Sequence, residues 1–364
     1  MEKMRTKEEI KQLLENAQEL GNKDLKFNEE AIYRAYEKGN NHQSLTIKVL
    51  SIFGGIMASF LFIGFLFIAG LYDSEFGLLV IGIPLIIFGA LVTKVTYNVL
   101  LDTLSISAYI IGFVLVGGGL LQMEMDENLV SIIFILIAVS ALFIVRSYLI
   151  SFISILIICG ASLFLMMSNN SFNLIHIYIS LLASILTFIY LKEAKLMTFN
   201  KAFSQIYDSV RISLIFCFLA GLYLLGRNYR FTDIGKYSNE YFWISSVVII
   251  LAILYVISHL FEMLIIKKSE QKYGIYSLSV LILLPTVFAP AISGAILIIL
   301  LSFLVNYKTS LVIGIVAFIY FVSQYYYDLH YTLLTKSIVL FCSGVLFLSL
   351  YFLTHKKLSS DEKI

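Results

Sequence analysis

The chain has 364 residues, 59% of them hydrophobic and 14% charged, with a net charge of +2 and a mean hydropathy of +0.90. A soluble domain is about 45–50% apolar and about 25% charged, so the composition excludes an ordinary soluble enzyme, a disulfide-stapled secreted module and a disordered tail. The near-balanced charge, with no basic run, excludes a nucleic-acid binder.

Residues 1–44 are the one sizeable polar piece. Ile10, Leu13, Leu14, Ala17 and Leu20 share a helical face over 7–20, and a second short helix is expected over 28–38. Forty-four residues are too few for a core of their own. A hairpin resting on the membrane or on the bundle and a partner-binding piece are both open readings. No cleavable leader is expected, because the first apolar run starts near Leu45 behind this charged segment.

Twelve apolar spans follow, at about 47–71, 77–95, 103–122, 128–146, 149–167, 173–191, 211–226, 242–266, 274–288, 289–306, 309–326 and 334–354. The runs at 78–92 and 129–145 are unbroken, as in spanning helices, whereas barrel strands alternate apolar and polar residues. This division puts 22 Lys and Arg residues on one side and 4 on the other. By the positive-inside rule both termini are then cytoplasmic. The expected class is an all-α polytopic membrane bundle of about twelve helices. Its expected parts are an N-terminal segment (1–44), two six-helix halves (45–191 and 212–354), a cytoplasmic interfacial helix (192–211) and a tail (355–364). The interfacial helix is read from Leu196, Phe199, Phe203, Ile206 and Val210, an apolar stripe at steps of 3 and 4.

All three prolines lie in apolar runs. Pro84, after Gly82, is expected to kink its helix. Pro285 and Pro290 bracket a short step behind a 15-residue span. That step is either a broken helix whose freed backbone binds substrate or a tight outer turn.

Ionisable groups inside spans are costly, and so are candidates for function. His259 and Glu262 share one face of span eight and form a candidate proton relay, or else reach out to water. The densest polar cluster is at the outer end of spans eleven and twelve. There Gln324, Tyr325, Tyr326, Asp328 and Lys336 are candidate contacts for a solute or lipid headgroup, the other reading being an aromatic belt locked by an Asp328–Lys336 ion pair. Cys159, Cys217 and Cys342 sit singly in apolar runs and read as buried thiols. Nucleotide-loop, zinc-protease and hydrolase motifs are absent, so no cofactor, metal or catalytic set is implied.

Tyr325 to Leu329, Thr332 to Ser337 and Ser343-Gly344, with Pro285, Pro290 and Lys308, resemble the C-terminal part of a bacterial family, domain of unknown function 4401. The resemblance implies a multi-pass protein of the bacterial cytoplasmic membrane and carries over no functional residue. The leading expectation is a transporter, or a permease handling lipid or a small solute. The alternative is a membrane scaffold or sensor whose N-terminal helices bind a cytoplasmic or membrane partner. The bilayer itself is the expected surround.

Overall fold

The computed structural model describes residues 45–70, 74–95, 99–145, 147–199, 201–231, 242–263 and 269–328, and beyond these Leu334, Ile338, Phe341, Val345 and Leu348. The expected helices in residues 1–44, the tail from 355, and Lys336 lie outside the described residues.

All regular structure among the described residues is helical. The helices are α1 (Leu45–Ile68), α2 (Glu75–Val95), α3 (Val99–Gln122), α4 (Glu127–Ile144), α5 (Tyr148–Ser168), α6 (Leu174–Leu191), α7 (Glu193–Phe199), α8 (Lys201–Phe231), α9 (Phe242–Met263), α10 (Ser269–Leu283), α11 (Pro290–Leu304) and α12 (Lys308–Asp328), with a 3-10 turn at Leu284–Phe288. Eight of them, α2 to α6, α8, α9 and α12, are long and apolar enough to cross a membrane, and α1 and α11 carry shorter apolar stretches. The five described residues after α12 are helical and exposed, at steps of 4, 3, 4 and 3. That is one face of a helix within the span expected over 334–354.

The exterior explains the composition. Ile68 is 86% exposed and Phe143 82%, and apolar side chains line the outside of most helices. Water does not tolerate apolar surface this continuous, so a bilayer is the surround that fits it.

Short connections are set by helix ends. Glu124, Asn170 and Asn306 have positive φ, and each sits in a turn where two backbone amides cap the preceding helix. After α5, for example, Ser171 donates to Met166 and Asn170 to Met167. This left-handed cap reverses the chain within a few residues.

Glycines set the closest packing. A Cβ on Gly112 of α3 would lie 2.5 Å from Ile86 Cγ1 and 2.8 Å from the Gly82 carbonyl, so α2 and α3 touch backbone to backbone. Helix α2 continues through Pro84 with no break in its helical span. Small hydroxyl residues join the next pairs. Ser107 donates to Gly55 between α3 and α1 at 3.0 Å, and the Tyr109 hydroxyl lies 2.8 Å from Ser154 Oγ between α3 and α5.

The helices pack around two larger cores. The largest core draws on α5, α6, α8, α9, α10, α11 and α12, and a second draws on α2 to α5 with Ile212. The sixth span thus packs with the second set of helices. The 192–211 segment is also differently built: it holds α7 and the first eleven residues of α8, which then runs on through the bundle to Phe231. Of the apolar stripe, Leu196, Phe203 and Val210 pack against the largest core. At these three positions the apolar side of the stripe meets protein. Helix α8 lies parallel to α5, with Ser209 Oγ donating to the Tyr148 carbonyl at 2.6 Å and Cys217 Sγ 3.9 Å from the Ile155 carbonyl.

The two prolines near 290 form a turn. The 3-10 residues Leu284–Phe288 follow α10, and Pro290 opens α11, where its missing N–H costs nothing. The step's polar groups are taken up inside the protein: Ser246 donates to the Val287 carbonyl at 2.7 Å and Thr286 to the Leu283 carbonyl at 2.6 Å. A tight turn therefore accounts for this step, and no free backbone is needed to explain it.

Candidate functional site

The two candidate clusters expected from sequence fall at opposite ends of the bundle. His259 Nδ1 and Glu262 Oε2 do meet, at 3.3 Å, on the last turns of α9. Glu262 is 77% exposed, so the pair reaches the surface of the described residues. Gln324, Tyr325 and Tyr326 lie on the last turns of α12. Gln324 packs across Gly226 of α8, and the rings of Tyr326 and Tyr327 are 5.8 Å apart. Tyr325 is exposed, and Asp328 ends the helix. Chain direction separates the groups: α9 carries its pair where it approaches α10, while α12 carries its tyrosines at the end far from the α11–α12 turn.

Two other features stand out. The first is a crevice of about 850 Å³ between α4, α5, α6 and α8. Its volume lies in the range of small-molecule sites, about 300–1,000 Å³. The lining takes residues 155–166 of α5, 174–185 of α6 and 203–214 of α8, each stretch about 16 Å long at the helical rise. The crevice is thus elongated along the helices. Its wall is apolar except for Cys159, Ser162 and Tyr178. Ser162 is spent on the Ile158 carbonyl at 2.7 Å, whereas the buried Tyr178 hydroxyl, beside the Cys159 and Cys217 thiols, makes no geometric hydrogen bond. Phe143, Leu174, Ile177 and Leu181 form an exposed rim, so the crevice opens sideways on the apolar exterior.

The second feature is Arg211, which the sequence analysis did not single out. Its side chain is 3% exposed. Nη2 donates to Asp208 Oδ1 at 2.6 Å and Nη1 to Glu193 Oε1 at 3.4 Å. The guanidinium lies 3.6 Å from the ring centre of Tyr307, 5.1 Å from that of Tyr207 and 5.6 Å from that of Tyr190. Tyr207 donates to the Ile189 carbonyl at 3.0 Å and Tyr190 to Ser310 Oγ at 2.7 Å. One cation thus ties together the ends of α6, α7, α8 and the α11–α12 turn. A cation stacked on rings and matched by carboxylates is a stable way to bury charge. Burial holds the Glu193 carboxyl above its ordinary range, Arg211 opposes that rise and Asp208 adds to it. The sequence did carry a signal, a lone Arg opening a long apolar run three residues after an Asp, but nothing in it placed Tyr190 or Tyr307 alongside.

The crevice and the cluster share a wall. Phe203, Ile206 and Val210 face the crevice, while Tyr207, Asp208 and Arg211 face α6, α7 and the α11–α12 turn from the same two turns of α8. Among the described residues no group of three or more His, Cys, Asp or Glu side chains is placed to hold a metal ion.

A family model described as Domain of unknown function (DUF4401) matches residues 44–357. The chain belongs to that family. The DUF4401 match covers every described helix from α1 to α12. No curated protein and no solved structure matches the chain.

Proposed function

We propose that this DUF4401 chain is a multi-pass protein of the bacterial cytoplasmic membrane that handles lipid or another apolar solute through the crevice between α4, α5, α6 and α8. The carrying observation is the crevice itself: elongated, apolar, about 850 Å³, and open on the exterior that faces the bilayer. A polar solute would find almost no partner on that wall, whereas a hydrocarbon chain loses no hydrogen bond on entering it. The surrounding bilayer supplies such chains at high local concentration. The 22-to-4 division of basic residues favours a cytoplasmic placement of the end that carries Arg211. Gln324, Tyr325, Tyr326, Asp328 and Lys336 are then an outer-rim group suited to lipid headgroups.

The test is photo-crosslinking in vesicles that contain a phospholipid with a photoreactive acyl chain. Adducts are expected to concentrate on peptides from α5, α6 and α8. Leu181→Trp, at the rim, is expected to reduce them several-fold without disturbing the core. Adducts spread evenly over the outer faces of α1, α2 and α12 would overturn the proposal.

A further inference from the structure

Among the described side chains the charges around Arg211 do not balance. Arg211 carries one positive charge and meets two carboxylates. Asp208, at 2.6 Å, already matches it in position. Glu193, at 3.4 Å and 25% exposed, is the surplus acid. Among the described side chains no second cation pairs with it: Lys192 and Lys195, on its own stretch, and Lys308, at the start of α12, are exposed. The other titratable group facing it is Tyr207 of α8, while Tyr190 of α6 and Tyr307 lie against the guanidinium. A carboxylate in that position is half desolvated, repelled by Asp208 and only loosely paired. It gains by taking a proton or by leaving for water.

We infer that Glu193 is a proton-binding site and that its protonation latches the α6–α7 elbow onto the foot of α8, at the end of the crevice. With the proton on, the neutral carboxyl stays packed beneath Arg211 and the α7–α8 contact is closed. With the proton off, Glu193 turns out to water and carries the first turn of α7 away from α8. Ile185 of α6 and Phe203 and Ile206 of α8 line that end of the crevice, on the other face of the α8 turns that the elbow closes upon. The linkage has one sign. The closed form binds the proton more tightly than a solvated carboxyl does, in keeping with the raised position of Glu193. Acid therefore closes the elbow and rising pH opens it. The latch stands whether or not lipid occupies the crevice; only its use as a gate rests on the proposed function.

The test measures the elbow directly and needs no lipid substrate. Spin labels are placed at Lys195→Cys on α7 and Phe143→Cys on α4, both exposed sites, in a Cys342→Ser background that keeps the buried Cys159 and Cys217. In nanodiscs the inter-label distance is expected to lengthen from about pH 5 to about pH 8, with its midpoint above the ordinary Glu value of about 4.3. Glu193→Gln is expected to hold the short distance throughout. Asp208→Asn, which removes the repulsion, is expected to move the midpoint to lower pH. An unchanged distance in the unmutated elbow would overturn the latch. So would a pH response in Glu193→Gln equal to that of the native residue. Failure of the crosslinking experiment with this response intact would count against the lipid reading alone.

Discussion

Arg211 is held by its plane as much as by its charge. Tyr307 stacks on the guanidinium at 3.6 Å, and a desolvated cation–π contact contributes about 2 kcal/mol. Asp208 adds a charge-assisted hydrogen bond, weakened because its side chain is 58% exposed. Arg211→Ala is therefore expected to cost about 2–3 kcal/mol in thermal unfolding in detergent. Arg211→Lys keeps the charge but not the fork or the stack, and should recover less than half of that. Glu193→Gln should act in the opposite sense. Its stabilising effect is expected at neutral pH and should vanish below the ordinary carboxylate range, where the native side chain is itself protonated. Little of this could be read from the chain. The charges of Arg211, Asp208 and Glu193 are visible in sequence, but their meeting depends on the α6–α7 elbow, and Tyr307 reaches them from a distant turn. His259 and Glu262 were legible as a pair because three residues on one helix must meet.

Among the elements, close helix pairs rest on residues that lack bulk. Gly112 of α3 lies against Ile86 and Gly82 of α2, and a side chain there has nowhere to go. Gly112→Leu is expected to force α2 and α3 apart at a cost of about 1–3 kcal/mol. Gly160 of α5 has no neighbour within 4 Å of an added Cβ, so Gly160→Ala should be neutral or slightly stabilising. Paired unfolding curves of the two variants separate a packing role from a mere count of glycines. At the proline step, Ser246→Ala leaves the Val287 carbonyl without its 2.7 Å donor and should cost about 1 kcal/mol. Most helix positions were readable from hydropathy, since each run must reach across about 30 Å. The fate of the 192–211 stripe was not. An apolar stripe has the same period whether it meets lipid or protein, and only the crevice and core around α8 tell which.

At the scale of the molecule, the proposed orientation rests on the charge division and is open to a direct check. An impermeant thiol reagent on intact cells is expected to label Tyr327→Cys, and to label Lys195→Cys only after permeabilisation. The reverse pattern would invert the bundle and place the Arg211 cluster outside. Across the boundary between the two six-helix stretches expected from sequence, α6 packs among the later helices and α8 reaches back to α5.

That backward reach has a consequence for biogenesis. The Ser209–Tyr148 hydrogen bond joins residues 61 positions apart, with α6 and α7 synthesised between them. At about 5–20 residues per second, the ribosome takes roughly 3–12 s to deliver that partner. Through this interval α5 has an unfilled flank, and nascent chains arrested short of residue 209 should present it to proteases and to insertion factors. Translation that pauses within α6 or α7 would prolong the exposure, making this stretch of the message the one whose tempo governs yield.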